Sequence, residues 1–252
     1  MKSITKKISL LFALSAVIFL SSCLGTVEQS HIGTGEYSYI GLDETTGTVY
    51  AITDYGYVIT SPKIQQLTPN TTAFLSYQVT EQTETATIGN NIVVHKVTLG
   101  AEPVPIDQSV LQYSAAPNVP AVYFESLPDP YYRINQSFGD QWLFLYEFKI
   151  KKGEYALVNF YKASDDEAKA NACDVLIDVR LEKFGTPDEG VAEKLERDYV
   201  SADMSSLRTS MADKADYNGN INIKFRFYRS GNQGMYISNK VYVMRIEKGA
   251  NL

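Results

Sequence analysis

The chain has 252 residues, with 23 basic and 29 acidic side chains and a formal charge of −6. An acidic chain with no basic cluster lacks the Lys and Arg groups that contact phosphates, which excludes a nucleic-acid partner. Nine prolines, sixteen glycines and eighteen tyrosines, with few long helical patterns, point to an all-β chain.

The first stretch is Met1 to Cys23. Lys2, Lys6 and Lys7 are followed by the apolar run Ile8–Leu20 and then by Leu20-Ser21-Ser22-Cys23. The run is shorter than the ~20 residues that span a bilayer, and its order of basic, apolar and small residues is that of an export signal. The segment resembles a bacterial lipoprotein signal peptide ending in a lipobox. That resemblance implies cleavage after residue 22, a diacylglycerol on the Cys23 thiol and a new amine open to acylation. Losing residues 1–22 removes three lysines and no acids, so 20 basic and 29 acidic residues remain, a charge of −9. Each inserted lipid CH₂ contributes about 0.8 kcal/mol, so several acyl chains anchor the protein without a transmembrane helix. The membrane is thus one expected partner, through Cys23. In some lipoproteins an acidic cluster directly after the Cys marks surface export. Here Leu24-Gly25-Thr26-Val27 precedes a lone Glu28, so the expected location is the cell envelope, at the outer membrane facing the periplasm, with the cell surface as the alternative.

Residues 23–36 are polar and Gly-rich without periodicity and read as a flexible tether. Residues 37–107 show short strands with turn punctuation, and a small OB-like β-barrel is expected. Tyr37–Leu42 and Thr48–Thr53 flank Asp43-Glu44-Thr45-Thr46-Gly47. Asp54-Tyr55-Gly56 turns into Tyr57–Thr60. Ala73–Thr80 alternates, and Gly89-Asn90-Asn91 is a hairpin turn into Ile92–Leu99. Closing such a sheet removes its exposed edges.

Glu102 to Pro130 carries Pro103, Pro105, Pro117, Pro120, Pro128 and Pro130. Proline removes amide donors, so residues 108–138 are expected as a connector, with Val119–Glu125 as a short edge strand. Residues 139–252 are expected to form an antiparallel β-sandwich. Trp142–Lys151, Tyr155–Tyr161, Asp174–Phe184, Asn220–Arg229 and Lys240–Glu247 alternate with a period of two, one face buried and one wet. Asp165–Ala172 and Pro187–Tyr199 are the two expected helices.

This layout, with Asp54-Tyr55-Gly56-Tyr57 in the first domain and Tyr199-Val200-Ser201-Ala202-Asp203-Met204-Ser205-Ser206-Leu207 in the second, resembles the NigD-like lipoproteins of gut-type bacteria. The resemblance covers most of the mature chain and implies an N-terminal OB-type barrel followed by a C-terminal β-sandwich. It carries no enzymatic activity with it. One departure is Ala202, where the family commonly has an aromatic.

Chemistry is sparse. His31 sits in the expected tether, and His95 shares a strand face with Val93, Val97 and Leu99. No Cys/His cluster has zinc spacing, no Gly-x-Ser-x-Gly elbow frames a serine, and no P-loop or dinucleotide fingerprint is present. No cofactor is expected. Asp165, Asp166 and Glu167 read as a solvated helix start, and Asp174 with Asp178 as the wet face of a strand. Cys173 reads as a small packed residue. Asp216-Tyr217-Asn218-Gly219-Asn220 lacks the later ligands of a calcium loop and reads as a turn. The remaining lead is aromatic: Tyr55, Tyr57, Tyr131, Tyr132 and Trp142 are the expected ligand contacts. The expected function is a non-catalytic, envelope-anchored binding or interaction module for an envelope protein or a glycan. The alternatives are a carbohydrate-binding or carbohydrate-processing protein and a structural accessory of an envelope complex.

The lipid reading makes a direct prediction: full-length protein fractionates with membranes, and Cys23→Ala moves it to the soluble fraction. A variant that stays with the membranes would contradict the anchor.

Overall fold

The computed structural model describes residues 30–89, 91–231 and 234–246. The signal segment, Cys23 and residues 24–29 lie outside the described residues. No helix among the described residues is long and apolar enough to cross a membrane.

The first unit is one seven-stranded mixed sheet curled into a half-barrel. β1 (His31–Asp43), β2 (Thr48–Thr53) and β3 (Val58–Thr60) form an antiparallel meander. β4 (Thr71–Val79) returns to the free edge of β1. β5 (Thr85–Ile88) and β6 (Ile92–Lys96) form the hairpin expected around residues 89–91, and β6 lies parallel to β3. A bridge from Leu99 to Tyr77 brings the chain after β6 back to β4. A 3₁₀ turn at Ile64–Gln66 drops Ile64 into the centre, where Ile40, Ala51, Ile59 and Leu75 are also fully buried.

The expected tether ends six residues early, because β1 already starts at His31. The polar, Gly-rich composition serves a strand here. Gly33 lies opposite Tyr77 in the ladder, and the Tyr77 ring occupies the place where a Cβ would stand. A bulge between Gly33 and Glu36 then shifts the register.

The second unit is a sandwich of two layers that share a strand. β7 (Val104–Pro105) closes the edge of the first sheet against β4. One residue later β8 (Asp107–Gln112) begins. Its first four residues pair with β12 (Lys194–Asp203), and Leu111 and Gln112 pair with β10 (Glu154–Lys162). One layer is thus β8-β12-β9, with β9 spanning Gln141–Ile150. The other runs β8-β10-β11-β13, where β11 is Val175–Gly185 and β13 is Asn220–Tyr228. β14 (Met235–Ile237) and β15 (Tyr242–Arg245) both lie along the outer edge of β13. The aromatic face expected on β9 fills the core: Phe144 lies 4.9 Å from Phe160 and 5.1 Å from Phe225.

Several details differ from the expectation. The sandwich is mixed: β10 with β8, β12 with β8, and β11 with β13 are parallel pairs. Val119–Glu125 makes only a bridge at Phe124; Pro120 removes an amide donor from it. The expected helix at Pro187–Tyr199 is absent. From Lys194 the chain is strand, since β9 offers it ten consecutive antiparallel pairs, more than a helix interrupted by Gly190 can recover locally. Among the described residues two short α-helices form. α1 (Asp165–Ala170) stands where it was expected, with Ser164 and Glu167 making a capping box. α2 (Ser205–Ser210) follows β12. Cys173 packs against α1 with Ala163, Ala168 and Leu176. Ala202 sits opposite Trp142 in the β12–β9 ladder and both are buried, so β9 supplies the large side chain of that pair.

The two units are welded by a separate apolar cluster of Tyr37, Ile106, Phe138 and Leu143, with Tyr39, Ile52 and Phe74 against it. Tyr37 stacks on Phe138 at 5.5 Å. Gly139 follows in the left-handed region (φ 58°), its Cα facing the Tyr39 ring where no side chain would fit. Asp140 is buried and takes a two-point hydrogen bond from Arg208 at 2.6 Å each, while its carbonyl accepts from Met204 N at 3.0 Å. Removing one partner of such a pair leaves a buried, uncompensated charge.

Phe138→Ala empties the middle of the weld. It is expected to cost about 3–5 kcal/mol, measured as a lowered denaturation midpoint, with both units still unfolding in one transition. Two separated transitions in the wild type would show that the units are not coupled.

Candidate functional site

The bulge in β1 turns two side chains to the same place. Glu36 Oε2 accepts from the Tyr77 hydroxyl at 2.9 Å and lies 3.1 Å from His31 Nε2. Its other oxygen accepts from the backbone N of Tyr55 at 2.6 Å. One carboxylate therefore fixes β1, β4 and the β2–β3 turn together. Over it the rings form a strip. Tyr55 stacks on His31 at 4.0 Å and on Tyr57 at 5.5 Å, and Tyr57 meets His95 edge-on at 5.3 Å. Tyr55 is 68% exposed, a large ring held flat against a second ring with its outer face in water. Tyr77, below, is buried; that burial, with Glu36 beside it, pushes its phenol well above the usual tyrosine range.

His31 was expected on a flexible tether, where it could not be preorganised. The strand pairing of His31 with Val79 and the contact to Glu36 overturn that. His95 is half-buried on β6, on the same face as the exposed Val93, and its Nδ1 is buried with no hydrogen bond among the described residues.

The other expected aromatics are not part of this strip. Trp142 is only 1% exposed, stacked on Tyr132 at 4.0 Å and packed against Phe225. A surface ligand does not reach it; the ring belongs to the sandwich core. Tyr132 is spent on that stack, and its hydroxyl accepts from Val243 N at 3.1 Å. Tyr131 is at the boundary between the units. Its hydroxyl donates to Asp54, and Arg133 donates to the same carboxylate at 2.7 Å and to the Asp54 carbonyl. Asp54 is the residue before Tyr55, so the turn that presents Tyr55 is gripped from the sandwich side as well.

The carboxylates expected to be solvated divide. Asp165 stands in the first turn of α1 and Glu167 completes its capping box, and the two pair with Lys162, Lys214 and Arg226. The lysines hold Asp165 well below the usual carboxylate range. Asp174 accepts from Asn222 N at 2.7 Å. Asp178 is different from the expectation: it is buried, not wet, and takes two hydrogen bonds from Arg226 at 2.6 and 2.7 Å. A period-two pattern marks a polar face, and an Asp and an Arg on adjacent strands of that face would have been the signal for a pair. Asp216 forms the expected turn, accepting from Asn218 N and Asn220 N at 2.8 Å. Among the described residues no three His, Cys, Asp or Glu side chains are grouped to hold a metal.

An uncharacterized protein of Parabacteroides merdae superposes with a TM-score of 0.56 at 11% identity, over 84% of this chain and 99% of that one. A candidate lipoprotein of Bacteroides fragilis superposes with a TM-score of 0.50 at 13% identity, over 87% and 99%. The fold is the one these proteins share. A NigD-like immunity protein of Bacteroides caccae is also among the structural neighbours, at TM-score 0.45 and 14% identity over 88% and 99%. No protein-family model and no curated protein matches the chain.

The tyrosines at the unit boundary give a pH dependence. Burial, with Asp54 beside it, pushes the Tyr131 phenol up to about 12, and burial does the same to Tyr37. A raised phenol contributes stability that is fully present below the ordinary tyrosine value of 10.0 and is lost as pH rises through about 12. Denaturation midpoints should hold up to pH 10 and fall beyond it. In Asp54→Asn the phenolate absorbance of Tyr131 should titrate lower; an unmoved titration curve would refute the Asp54 contact.

Proposed function

We propose that this chain is an envelope-anchored, non-catalytic binding module whose partner docks on the His31–Tyr55–Tyr57 surface. The observation that carries this is Tyr55. Exposed aromatics normally cost a partner rotamer entropy on binding. Tyr55 is already fixed by the His31 stack, by Glu36 at its backbone N and by the grip on Asp54. An exposed, preorganised ring is the geometry of a stacking contact.

The anchor is supported by the lipobox-like Leu20-Ser21-Ser22-Cys23 and by the candidate-lipoprotein status of the Bacteroides fragilis neighbour. Placement at the outer membrane facing the periplasm rests on the residues after Cys23. Non-catalysis is supported by the occupation of Asp165, Glu167, Asp174 and Asp178, which are taken up by cations or backbone amides.

A glycan is the second reading, and the first unit favours it. A three-strand meander, a helical turn before the fourth strand, a return to β1 and a parallel β3/β6 pair support reading this half-barrel as OB-like. Such barrels bind oligosaccharides on one face, and a pyranose presents a C–H face to an aromatic ring.

The test is a glycan array and an envelope pull-down with the lipidated protein and with Tyr55→Ala. Wild type should capture a glycan or a specific protein. Tyr55→Ala should weaken capture at least roughly tenfold, the scale of an aromatic hot spot, with an unchanged melting temperature. Turnover of glycan or peptide by wild type, abolished by one carboxylate-to-alanine change, would overturn the non-catalytic reading. Equal capture by both proteins would move the site elsewhere.

A further inference from the structure

The outer face of the sandwich carries a second arrangement, distant in sequence from the aromatic strip. Tyr113, Ala115 and Ala116, just after β8, border a cleft of about 540 Å³ over β10, β11 and β13. Its floor holds Lys162, Asp178, Arg180 and Arg226, and α1 contributes Asp165 and Glu167.

The charges in this cleft are almost completely matched. Arg226 uses Nε and one terminal nitrogen on Asp178, at 2.6 and 2.7 Å, and its other terminal nitrogen on Glu167 at 2.9 Å. Asp165 takes Lys162 and Lys214, each at 2.7 Å. Glu182, next on the β11 face, accepts from Asn159 at 3.0 Å and from Tyr161 at 3.3 Å.

Arg180 is the least matched, with only a long ion pair to Asp178. Its side chain is 15% exposed, and its nearest carboxylate oxygen, on Asp178, is 3.7 Å away, too far for a hydrogen bond. Its Nε is buried without a hydrogen-bond partner among the described residues. One face of the guanidinium lies 4.8 Å from the Tyr228 ring, which fixes the plane of the group. A buried cation with unspent donors is costly unless something satisfies it. The planar fork of an arginine matches a carboxylate in two-point geometry.

We propose that this cleft binds a small carboxylate-bearing solute, with the carboxylate on the Arg180 guanidinium and the body of the ligand beside Tyr113. The acidic groups around it do not oppose this, because each is already held by a lysine, an arginine or a neutral donor. The matching carboxylate could be that of a sugar acid or of a peptide end, and the same experiment separates the two.

The experiment is a nitrogen-15 titration of the folded chain that follows the Arg180 Nε–H signal, with glucuronate and N-acetylglycine as probes and glucose as the neutral control. Binding should shift the Arg180 signal with either acid and not with glucose. Glucuronate alone would make the ligand a sugar acid, N-acetylglycine alone a peptide carboxylate, and both a site that reads the carboxylate itself. Arg180→Lys keeps the charge and removes the fork, and should weaken binding at least tenfold. Arg180→Gln should abolish it, and Tyr55→Ala should leave it unchanged. No shift of the Arg180 signal with either acid at saturating concentration would overturn the proposal, and so would Arg180→Lys binding as tightly as wild type. The wild-type Arg180 signal decides the matter even if a variant fails to fold.

Discussion

The structure depends on one short run of chain, Val104 to Gln112, that belongs to every sheet. Val104 and Pro105 close the edge of the half-barrel on β4. Asp107–Val110 lie on β12, and Leu111 and Gln112 lie on β10. A strand cannot shift register in one sheet without shifting in the others, because side chains alternate faces with a period of two. Ile106, between the pairings, enters the apolar weld with Tyr37, Phe138 and Leu143. The two units are therefore not beads on a linker. The proline-rich region supplies a shared strand, and its prolines fall where donors are dispensable: Pro105 sits at the outer edge of the first sheet.

That weld also organises the aromatic strip. Tyr37 packs at the boundary, and Asp54 N donates to the Tyr37 carbonyl at 3.0 Å. The Asp54 side chain faces the sandwich, to Tyr131 and Arg133. The next residue, Tyr55, faces out. Two adjacent residues thus split the work, one tying the turn to the second unit and one presenting a ring. Arg133 lies 5.5 Å over the Phe138 ring, so the cation gripping Asp54 is itself seated on the weld. Rigidity made by packing far from the strip is what holds Tyr55 in place.

The strands were legible wherever one face was apolar. The alternating segments around Phe144, Val179 and Phe225 stand close to where their period placed them, because burial of one sheet face writes that period directly. What escaped was set by partners remote in sequence. Lys194–Asp203 is a strand because β9 was waiting for it, a fact absent from its own composition. His31 is ordered because Tyr77 and Glu36, on either side of a bulge, receive it. Trp142 and Tyr55 were indistinguishable as aromatics on strands and turns; only the layers show that one is core and the other surface. The same holds for Asp178, whose polar strand face is covered by α1 and by Arg226 rather than by water.

The position of the strip relative to the anchor follows from chain geometry. His31 is eight residues after Cys23, and an extended chain advances at most about 3.6 Å per residue. With Cys23 lipidated, the His31 backbone stays within roughly 29 Å of the membrane surface. Because β1 begins at His31 rather than after a longer tether, a lipid on Cys23 would leave the strip at the anchored end of the domain. A partner docking on Tyr55 must then be present close to that membrane face. The cleft at Arg180 lies on the other unit, joined to the first by the shared strand. A lipid on Cys23 would thereby place the aromatic surface nearer the membrane than the arginine cleft.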